Sequence, residues 1–354
     1  MSTSDAPFRE LLIGSFHAAI AAVSADRLVP AHLPDPPATG RTLVVGAGKA
    51  SAAMAACVDT YWPAQASLTG LVITRHGHGL PAKNPPGEAR IRIVEAGHPL
   101  PDQAGLDAAQ TLFDLVGQAR PEDLVLALIS GGGSSLLTLP AVGLELDDIR
   151  AVSHALLDSG APIADINCVR KHLSRTLGGR LAARCQAAVR VLMISDVTGD
   201  DPAVIASGPF APDPTTYADA LTVLDRWGIQ APHTICRYLA EGAAGRHDDT
   251  PKPGESCFSR VEHHLLGRGH TALEGAAAFY SARGVKPVIL GDTFTGEARE
   301  VALAFAALAR EVRRYGSPWA TPVVLLSGGE TSVTVRGRGQ GGRNGVPAGL
   351  RPRP

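Results

Sequence analysis

The stretch that decides the fold is residues 123–135, DLVLALISGGGSS. Six apolar residues in succession, at 124–129, indicate a strand buried on both faces, as in a parallel sheet covered by helices. The strand runs into three consecutive glycines and then serines. Glycine loses more conformational freedom on folding than any other residue, so a run of three favours a functional turn over a purely structural one.

The segments on both sides of this strand alternate between strands and helices. TLVVGAGKAS at 42–51 has the pattern of a strand, a tight turn and a helix start, and VRVLMISDV at 189–197 is another buried strand. Further strands are predicted at 70–75 and 90–97, and helices at 8–28, 103–119, 147–159 and 168–188. This alternation predicts an α/β fold with a Rossmann-like, doubly wound sheet that binds ligands at the carboxyl ends of its strands.

The length of 354 residues is sufficient for two domains. We predict a Rossmann-like domain at 1–240, with an irregular region from about 212 to 260, and a second α/β domain at 261–344. The last ten residues, 345–354, contain three prolines and no periodicity, which predicts an aberrant or disordered tail.

Composition argues against some classes of binding partner and indicates the cellular compartment. The formal net charge of −1 argues against a nucleic-acid-binding protein. No apolar run reaches the ~18 residues of a membrane helix, and the amino terminus lacks the pattern of a signal peptide. The five cysteines are scattered without a C-x-x-C pair, which favours a reducing cytoplasm over a disulfide framework or zinc knuckle.

Two glycine-rich turns are candidate anion sites. GAGK at 46–49 opens a helix, where backbone N–H groups bind anions, and Lys49 adds a positive charge. It is not a Walker A loop, because position 43 is Leu, and a plain tight turn remains an alternative. The second turn can wrap an oxyanion with backbone and hydroxyl donors. The phosphate- or substrate-binding candidates in these turns are Gly46, Gly48, Ser130, Gly131, Gly132, Gly133, Ser134 and Ser135.

Polar side chains outside the glycine turns are further candidates. Asn167, Arg170 and Lys171 lie near a predicted helix start, where cations can bind a carboxylate or phosphate. The alternative is that they form a solvated helix face. His98 is a further candidate for a substrate contact.

Acidic side chains and a second set of glycines complete the candidates. Asp196 and Asp200 follow a buried strand, where carboxylates hold Mg²⁺ or act as a general base, or else form an Asx turn. Another glycine turn, Ser327, Gly328, Gly329 and Glu330, lies in the second domain. Arg343, in a further glycine cluster, could neutralise a transferring phosphoryl group.

Taken in order, the motifs resemble the glycerate 2-kinase family over about residues 8–344. They are VVGAGKAS, TRHGHG, EAGHPLPDQAG, SGGGSSLL, NCVRKHLSRTLGGRLA, ISDVTGDDPAVIASGP, GDTFTGEAREVA and LLSGGETSVTV followed by GQGGRN. The resemblance implies a Rossmann-like amino-terminal domain (DUF4147) and a carboxyl-terminal MOFRL domain. Many similar proteins carry hydroxypyruvate reductase names.

The resemblance also implies a reaction, namely the ATP- and Mg²⁺-dependent phosphorylation of D-glycerate at its 2-hydroxyl to 2-phosphoglycerate. Lys49 and Arg343 would be the catalytic cations. For the other residues we hypothesise that SGGGSS cradles phosphate and that Asn167 and Arg170 orient the glycerate carboxylate. Asp196 or Glu330 would act as a metal ligand or base, with Asp200 as a further metal ligand. The partners expected are glycerate, a nucleotide and, as a homodimer, a second copy of the chain.

The sequence departs from the family pattern after Asn344, where GVPAGLRPRP replaces the rest of the MOFRL domain. We therefore expect exposed apolar surface on the second domain and weak or no activity. Two alternatives to the kinase stay open. One is an NAD(P)H-dependent hydroxypyruvate reductase, and the other is an inactive, truncated homologue that binds a phosphometabolite.

Overall fold

The computed structural model describes residues 6–80 and 89–333. It is mixed α/β, as the sequence predicts. The strands are β1 Thr42–Ala47, β2 Leu68–Arg75, β3 Ile91–Ala96, β4 Leu124–Ser130, β5 Ala188–Ile194, β6 Val261–Gly267, β7 Lys286–Gly291, β8 Gly296–Glu297, β9 Val323–Ser327 and β10 Thr331–Ser332. The α-helices are α1 Ala6–Ala22, α2 Ala25–Leu28, α3 Ser51–Tyr61, α4 Gln103–Gly117, α5 Gly133–Leu136, α6 Leu146–Asp158, α7 Ile163–His172, α8 Arg180–Arg184, α9 Tyr217–Arg226, α10 His233–Ala243, α11 Gly269–Ser281 and α12 Ala298–Tyr315.

The chain divides into two compact units. The larger unit comprises Ala25–Ser195 and Asp200–Leu266. The smaller unit comprises the described residues of Met1–Ser24, Asp196–Gly199 and Gly267–Pro354. This division differs from the predicted boundaries because α1 packs on α11, where Tyr280 Oη donates to Ser15 Oγ at 3.1 Å.

The larger unit is built on a six-stranded sheet with the order β3-β2-β1-β4-β5-β6. The β3–β2, β2–β1, β1–β4 and β4–β5 pairs are all parallel. Every residue of β1 is buried, and six of the seven residues of β4 are buried, as the apolar runs in their sequences require. The predicted doubly wound sheet is confirmed.

Two predictions of local structure are wrong. The region 212–260 is not irregular, since it contains α9 and α10. The segment predicted as one helix at 168–188 is instead the end of α7, a turn, and α8. Gly178 and Gly179, whose φ angles of +58° and +81° are left-handed, lie in the turn between these helices and directly precede α8, so the chain is not helical there.

The smaller unit contains two short parallel pairs, β7 with β9 and β8 with β10, together with α1, α11 and α12. On α1, Phe8, Leu12 and Phe16 recur at every fourth position and are 69%, 63% and 62% exposed. Across the described residues, no single helix is long and apolar enough to cross a membrane. Two consecutive helical segments, 8–22 and 25–32, have the length and apolar composition of a membrane span only when they are taken together.

Candidate functional site

The strand order places a topological switch point between β1 and β4. Strands β2 and β3 lie on one side of this pair, and β5 and β6 lie on the other. In doubly wound sheets, ligands bind in the crevice outside the carboxyl ends of the strands at such a point. Here β1 leads through the GAGK turn into α3, and β4 leads through the triple glycine into α5.

The two glycine turns are joined to each other. Gly48 has φ +140°, and a Cβ placed there would lie 2.2 Å from Ser130 Oγ, so only glycine fits. Lys49 N–H donates to the carbonyl of Gly131 at 2.9 Å, and Ala50 N–H donates to Ser130 Oγ at 3.0 Å. Ser130, predicted to contact phosphate, is buried, and its hydroxyl instead accepts a hydrogen bond that joins the two turns.

Lys49 and His98 meet above the triple glycine. A Cβ on Gly132, whose φ is +80°, would lie 2.8 Å from His98 Nε2 and 3.2 Å from Lys49 Cε. The N-cap residue of α3, Ala50, has no capping side chain, and the N–H groups of Lys49, Ala50 and Ser51 already donate to Gly131 O, Ser130 Oγ and Gly48 O. Three predicted site residues, Lys49, Gly132 and His98, therefore lie close together at the carboxyl end of the sheet. The charge of Lys49 and the dipole of α3 favour an anion there.

A group of polar side chains that sequence reasoning did not assign lies in the loops near Lys49. His76 Nε2 lies 2.8 Å from Asp102 Oδ2, and His78 Nδ1 lies 3.4 Å from the Lys49 carbonyl oxygen. Glu95 accepts hydrogen bonds from the N–H groups of Gly77 and Gly79. These two backbone donors lower the pKa of Glu95. The sequence signal was available for Asp102, which precedes a helix and caps it by accepting from Gly105 N–H.

Ser134 and Asn167 are linked through Ser207. The Oγ atoms of Ser134 and Ser207 are 2.7 Å apart, and Ser207 Oγ donates to Asn167 Oδ1 at 2.8 Å. Asn167 Nδ2 donates to the Val204 carbonyl at 3.3 Å. Asn167 is buried and bonded through both ends of its amide, which argues against a direct contact with substrate.

Residues Arg170 and Lys171 lie in the last turn of α7, not near a helix start as predicted. Lys171 is buried and donates to Asp213 Oδ1 at 3.3 Å. Burial alone would raise the pKa of Asp213, but the Lys171 charge and hydrogen bonds from Thr215 hold it below its ordinary value. Lys171 therefore forms a buried ion pair with Asp213, which argues against a direct contact with a ligand.

Arg170 points into a pocket on the larger unit. Its lining includes Pro99, Pro101, Ser134 and Ser174. Burial lowers the pKa of Arg170 to about 10, with no carboxylate contributing to the shift. In the described ranges, no hydrogen bond or ion pair joins its guanidinium to another residue. Arg170 is only partly buried, and its guanidinium is therefore available to an anion that enters the pocket.

The remaining predicted site residues are distributed over both units. Asp200 belongs to the larger unit, whereas Asp196 and Glu330 belong to the smaller one. Within the smaller unit, the glycine turn that follows β9 is tied to the loop after β7, because Gly328 N–H donates to the Gly291 carbonyl at 2.9 Å. The turn comprises Ser327, Gly328, Gly329 and Glu330. Arg343 and the tail at 345–354 lie outside the described residues.

Metal-binding side chains do not cluster in the described ranges, where no group of three or more His, Cys, Asp or Glu residues could hold a metal ion. Mg²⁺ in phosphoryl-transfer sites is commonly held by one or two carboxylates and by the substrate phosphates. The predicted metal ligands Asp196, Asp200 and Glu330 therefore stay predictions.

Comparison with known proteins places this geometry in a family. The family model "Domain of unknown function (DUF4147)" matches residues 11–240. A protein of Agrobacterium vitis that carries a provisional hydroxypyruvate reductase name is 47% identical over 347 residues, which are 97% of this chain and 76% of that protein. The D-glycerate 2-kinase of Thermotoga maritima is 38% identical over 337 residues, covering 95% of this chain and 76% of the relative.

Two further comparisons agree. The glycerate 2-kinase of Pyrococcus horikoshii is 36% identical over 308 residues, covering 86% of this chain and 67% of the relative. The crystal structure of a glycerate kinase from Thermotoga maritima superposes with a TM-score of 0.79 at 38% identity, covering 97% of this chain and 78% of that one. The chain therefore belongs to the glycerate 2-kinase family, with a DUF4147 domain at residues 11–240.

Proposed function

We propose that this chain transfers a phosphoryl group from ATP to the 2-hydroxyl of D-glycerate, giving 2-phosphoglycerate. The observation that carries the proposal is Arg170, a partly buried cation that lines a pocket beside the triple glycine and has no anionic partner among the described residues. A guanidinium offers paired N–H donors that match a carboxylate, and the relatives named glycerate kinases act on an acid of this kind.

The phosphoryl group would be held next to this pocket, at the switch point. Lys49 supplies a positive charge beside Gly132, and His98 lies against the same glycine. The positive end of the α3 dipole lies at this turn and favours an anion. Phosphoryl transfer needs such positioning and charge stabilisation more than it needs covalent chemistry from the protein.

Mg²⁺ bound with the nucleotide would neutralise charge on the transferring phosphoryl group. The oxygen ligands of Asp200, Asp196 and Glu330 have the chemistry that this ion prefers. Their roles, and that of Arg343 as a second catalytic cation, belong to this proposal.

The reductase alternative rests on the name of the Agrobacterium vitis relative. Two features of the larger unit oppose it. The third glycine of a dinucleotide fingerprint is replaced by Ser51, whose hydroxyl donates to the Leu128 carbonyl at 3.0 Å. Strand β2 ends at Arg75 and so lacks the acidic residue that holds the ribose of NADH, although an arginine there is compatible with the 2′-phosphate of NADPH.

Replacing Arg170 tests the proposal. In Arg170→Met, loss of charged hydrogen bonds worth about 1.5–3 kcal/mol should raise the KM for glycerate roughly 10- to 150-fold, with little change in the KM for ATP. The matched control is Arg226→Met, which removes an exposed cation paired with Asp165 on the surface. We expect it to behave as wild type. An unchanged KM for glycerate in Arg170→Met would contradict the assignment.

A further inference from the structure

A chain of hydrogen bonds begins at Ser134 in the pocket beside Arg170, and the donor and acceptor of each bond follow from its members. It runs from Ser134 through Ser207 and Asn167 to the carbonyl of Val204, with donor–acceptor distances of 2.7, 2.8 and 3.3 Å. Ser207 and Asn167 are buried, whereas Ser134 is partly exposed and lines the pocket.

The direction of each bond follows from the donor inventory. A backbone carbonyl can only accept, so the amide nitrogen of Asn167 must face Val204 and its oxygen must face Ser207. Ser207 has a single hydroxyl proton, and that proton is donated to Asn167. Ser134 must therefore donate its own proton to Ser207. Its oxygen keeps lone pairs but no proton, so toward a ligand it can act only as an acceptor.

The position of Ser207 is specified at an energetic cost. Ala206 and Ser207 have φ angles of +53° and +56°, which non-glycine residues rarely adopt. The conformation is held by Gly178 N–H, which donates to the Ser207 carbonyl at 2.9 Å. Strained backbone of this kind persists where the surrounding structure determines it, and it clusters at functional sites.

Two neighbouring hydroxyls in the pocket already donate within the protein. Ser135 donates to the Gly132 carbonyl at 3.4 Å, and Thr138 donates to the Ser135 carbonyl at 2.9 Å. The pocket therefore combines the donors of Arg170 with an acceptor-only oxygen on Ser134. A ligand that matches both carries an anion and a hydroxyl group.

We infer that Ser134 is a specificity-determining residue that accepts a hydrogen bond from the 3-hydroxyl of glycerate. Ser207 and Asn167 are positioning residues that keep its proton turned away from the substrate. This inference rests on the proposed function, because the 2-hydroxyl must face the phosphoryl donor and only the 3-hydroxyl is left for recognition. It replaces the phosphate contact that the sequence suggests for Ser134.

Equilibrium binding tests the inference without requiring turnover. Isothermal titration calorimetry would compare glycerate with lactate of the same configuration, which lacks only the 3-hydroxyl. Wild type should prefer glycerate by about tenfold, the contribution of about one hydrogen bond. Ser134→Ala should abolish the preference, and Ser134→Thr, which keeps the hydroxyl, should retain it. Ser159→Ala, on the end of α6, is the distant control and should also retain it.

Two variants of Ser207 separate the hydrogen bond from a merely structural role. Ala keeps the backbone strain, whereas Gly relieves it, so Ser207→Gly should have the higher Tm. Both lose the hydroxyl and should lose the preference for glycerate equally. Wild-type preference in Ser134→Ala or Ser207→Gly, or no preference in wild type, would overturn the inference. A preference that is lost as expected, in a chain that makes no ADP, would overturn the proposed function alone.

Discussion

The ion pair between Lys171 and Asp213 tests the roles of two cations on α7. Lys171 is expected to stabilise the fold, whereas Arg170 is expected to bind the ligand. Their side chains are 7% and 0% exposed, and Nζ lies 3.3 Å from Oδ1. At this separation and an effective dielectric constant of about 20, the attraction is roughly 5 kcal/mol. Asp213→Asn leaves the ammonium group buried without its partner and should lower the free energy of unfolding by about 3–5 kcal/mol.

The assay is urea denaturation followed by far-UV circular dichroism, with Lys171→Met/Asp213→Asn as the matched double variant. The double variant removes both charges, so its stability should return to within about 2 kcal/mol of wild type. Its KM for glycerate should stay within about threefold of the wild-type value. A stable double variant with a KM raised tenfold or more would place Lys171 at the substrate and refute the reasoning.

The same pair predicts an acid dependence of stability. The pKa of Asp213 is lower in the folded protein than in the unfolded chain, whose value is about 3.9. Its contribution is therefore fully present above about pH 4 and is lost as the pH falls through the folded-state value. The acid limb of the stability curve should be shallower in Asp213→Asn.

Two further substitutions test the geometry of the switch point. Gly48→Ala would place a Cβ 2.2 Å from Ser130 Oγ, so urea denaturation should show a loss of more than about 2 kcal/mol. Gly77→Ala, at φ +76° with nothing within 4 Å, should lose only about 1 kcal/mol, and equal losses would contradict the steric argument. Asp102→Ala removes the cap on Gly105 N–H and should lower the stability by about 1 kcal/mol, whereas an unchanged midpoint would rule out that cap.

The larger sheet could be predicted from the sequence because its strands are buried on both faces and therefore appear as uninterrupted apolar runs. Helices α9 and α10 were missed because the region contains five prolines, at 212, 214, 232, 251 and 253, which interrupt the helical apolar pattern. A signal was nevertheless present, since Thr216 and Asp219 form a capping box at the start of α9. The grouping of α1 with α11 depends on packing between distant segments, which local patterns do not encode.

The site could be predicted in outline but not residue by residue. The glycine turns and Lys49 follow strands, and parallel strands bring their carboxyl ends to one edge. By contrast, Asn167, Arg170 and Lys171 have similar polarity in the sequence, and only their partners distinguish them. The partners of Lys171 and Asn167 are Asp213 and Ser207, 42 and 40 residues away along the chain. The homodimer, the roles of Arg343 and the metal ligands stay predictions.

The most direct test of the central claim is the product formed from ATP, Mg²⁺ and D-glycerate, followed by ³¹P NMR. Even at the low rate that the sequence predicts, we expect the wild-type chain to produce detectable 2-phosphoglycerate together with ADP, and to leave NADH unoxidised when it is offered hydroxypyruvate. NADH oxidation without any phosphoglycerate would contradict the account and favour the reductase. Binding of ATP or 2-phosphoglycerate without turnover would contradict it in favour of an inactive homologue.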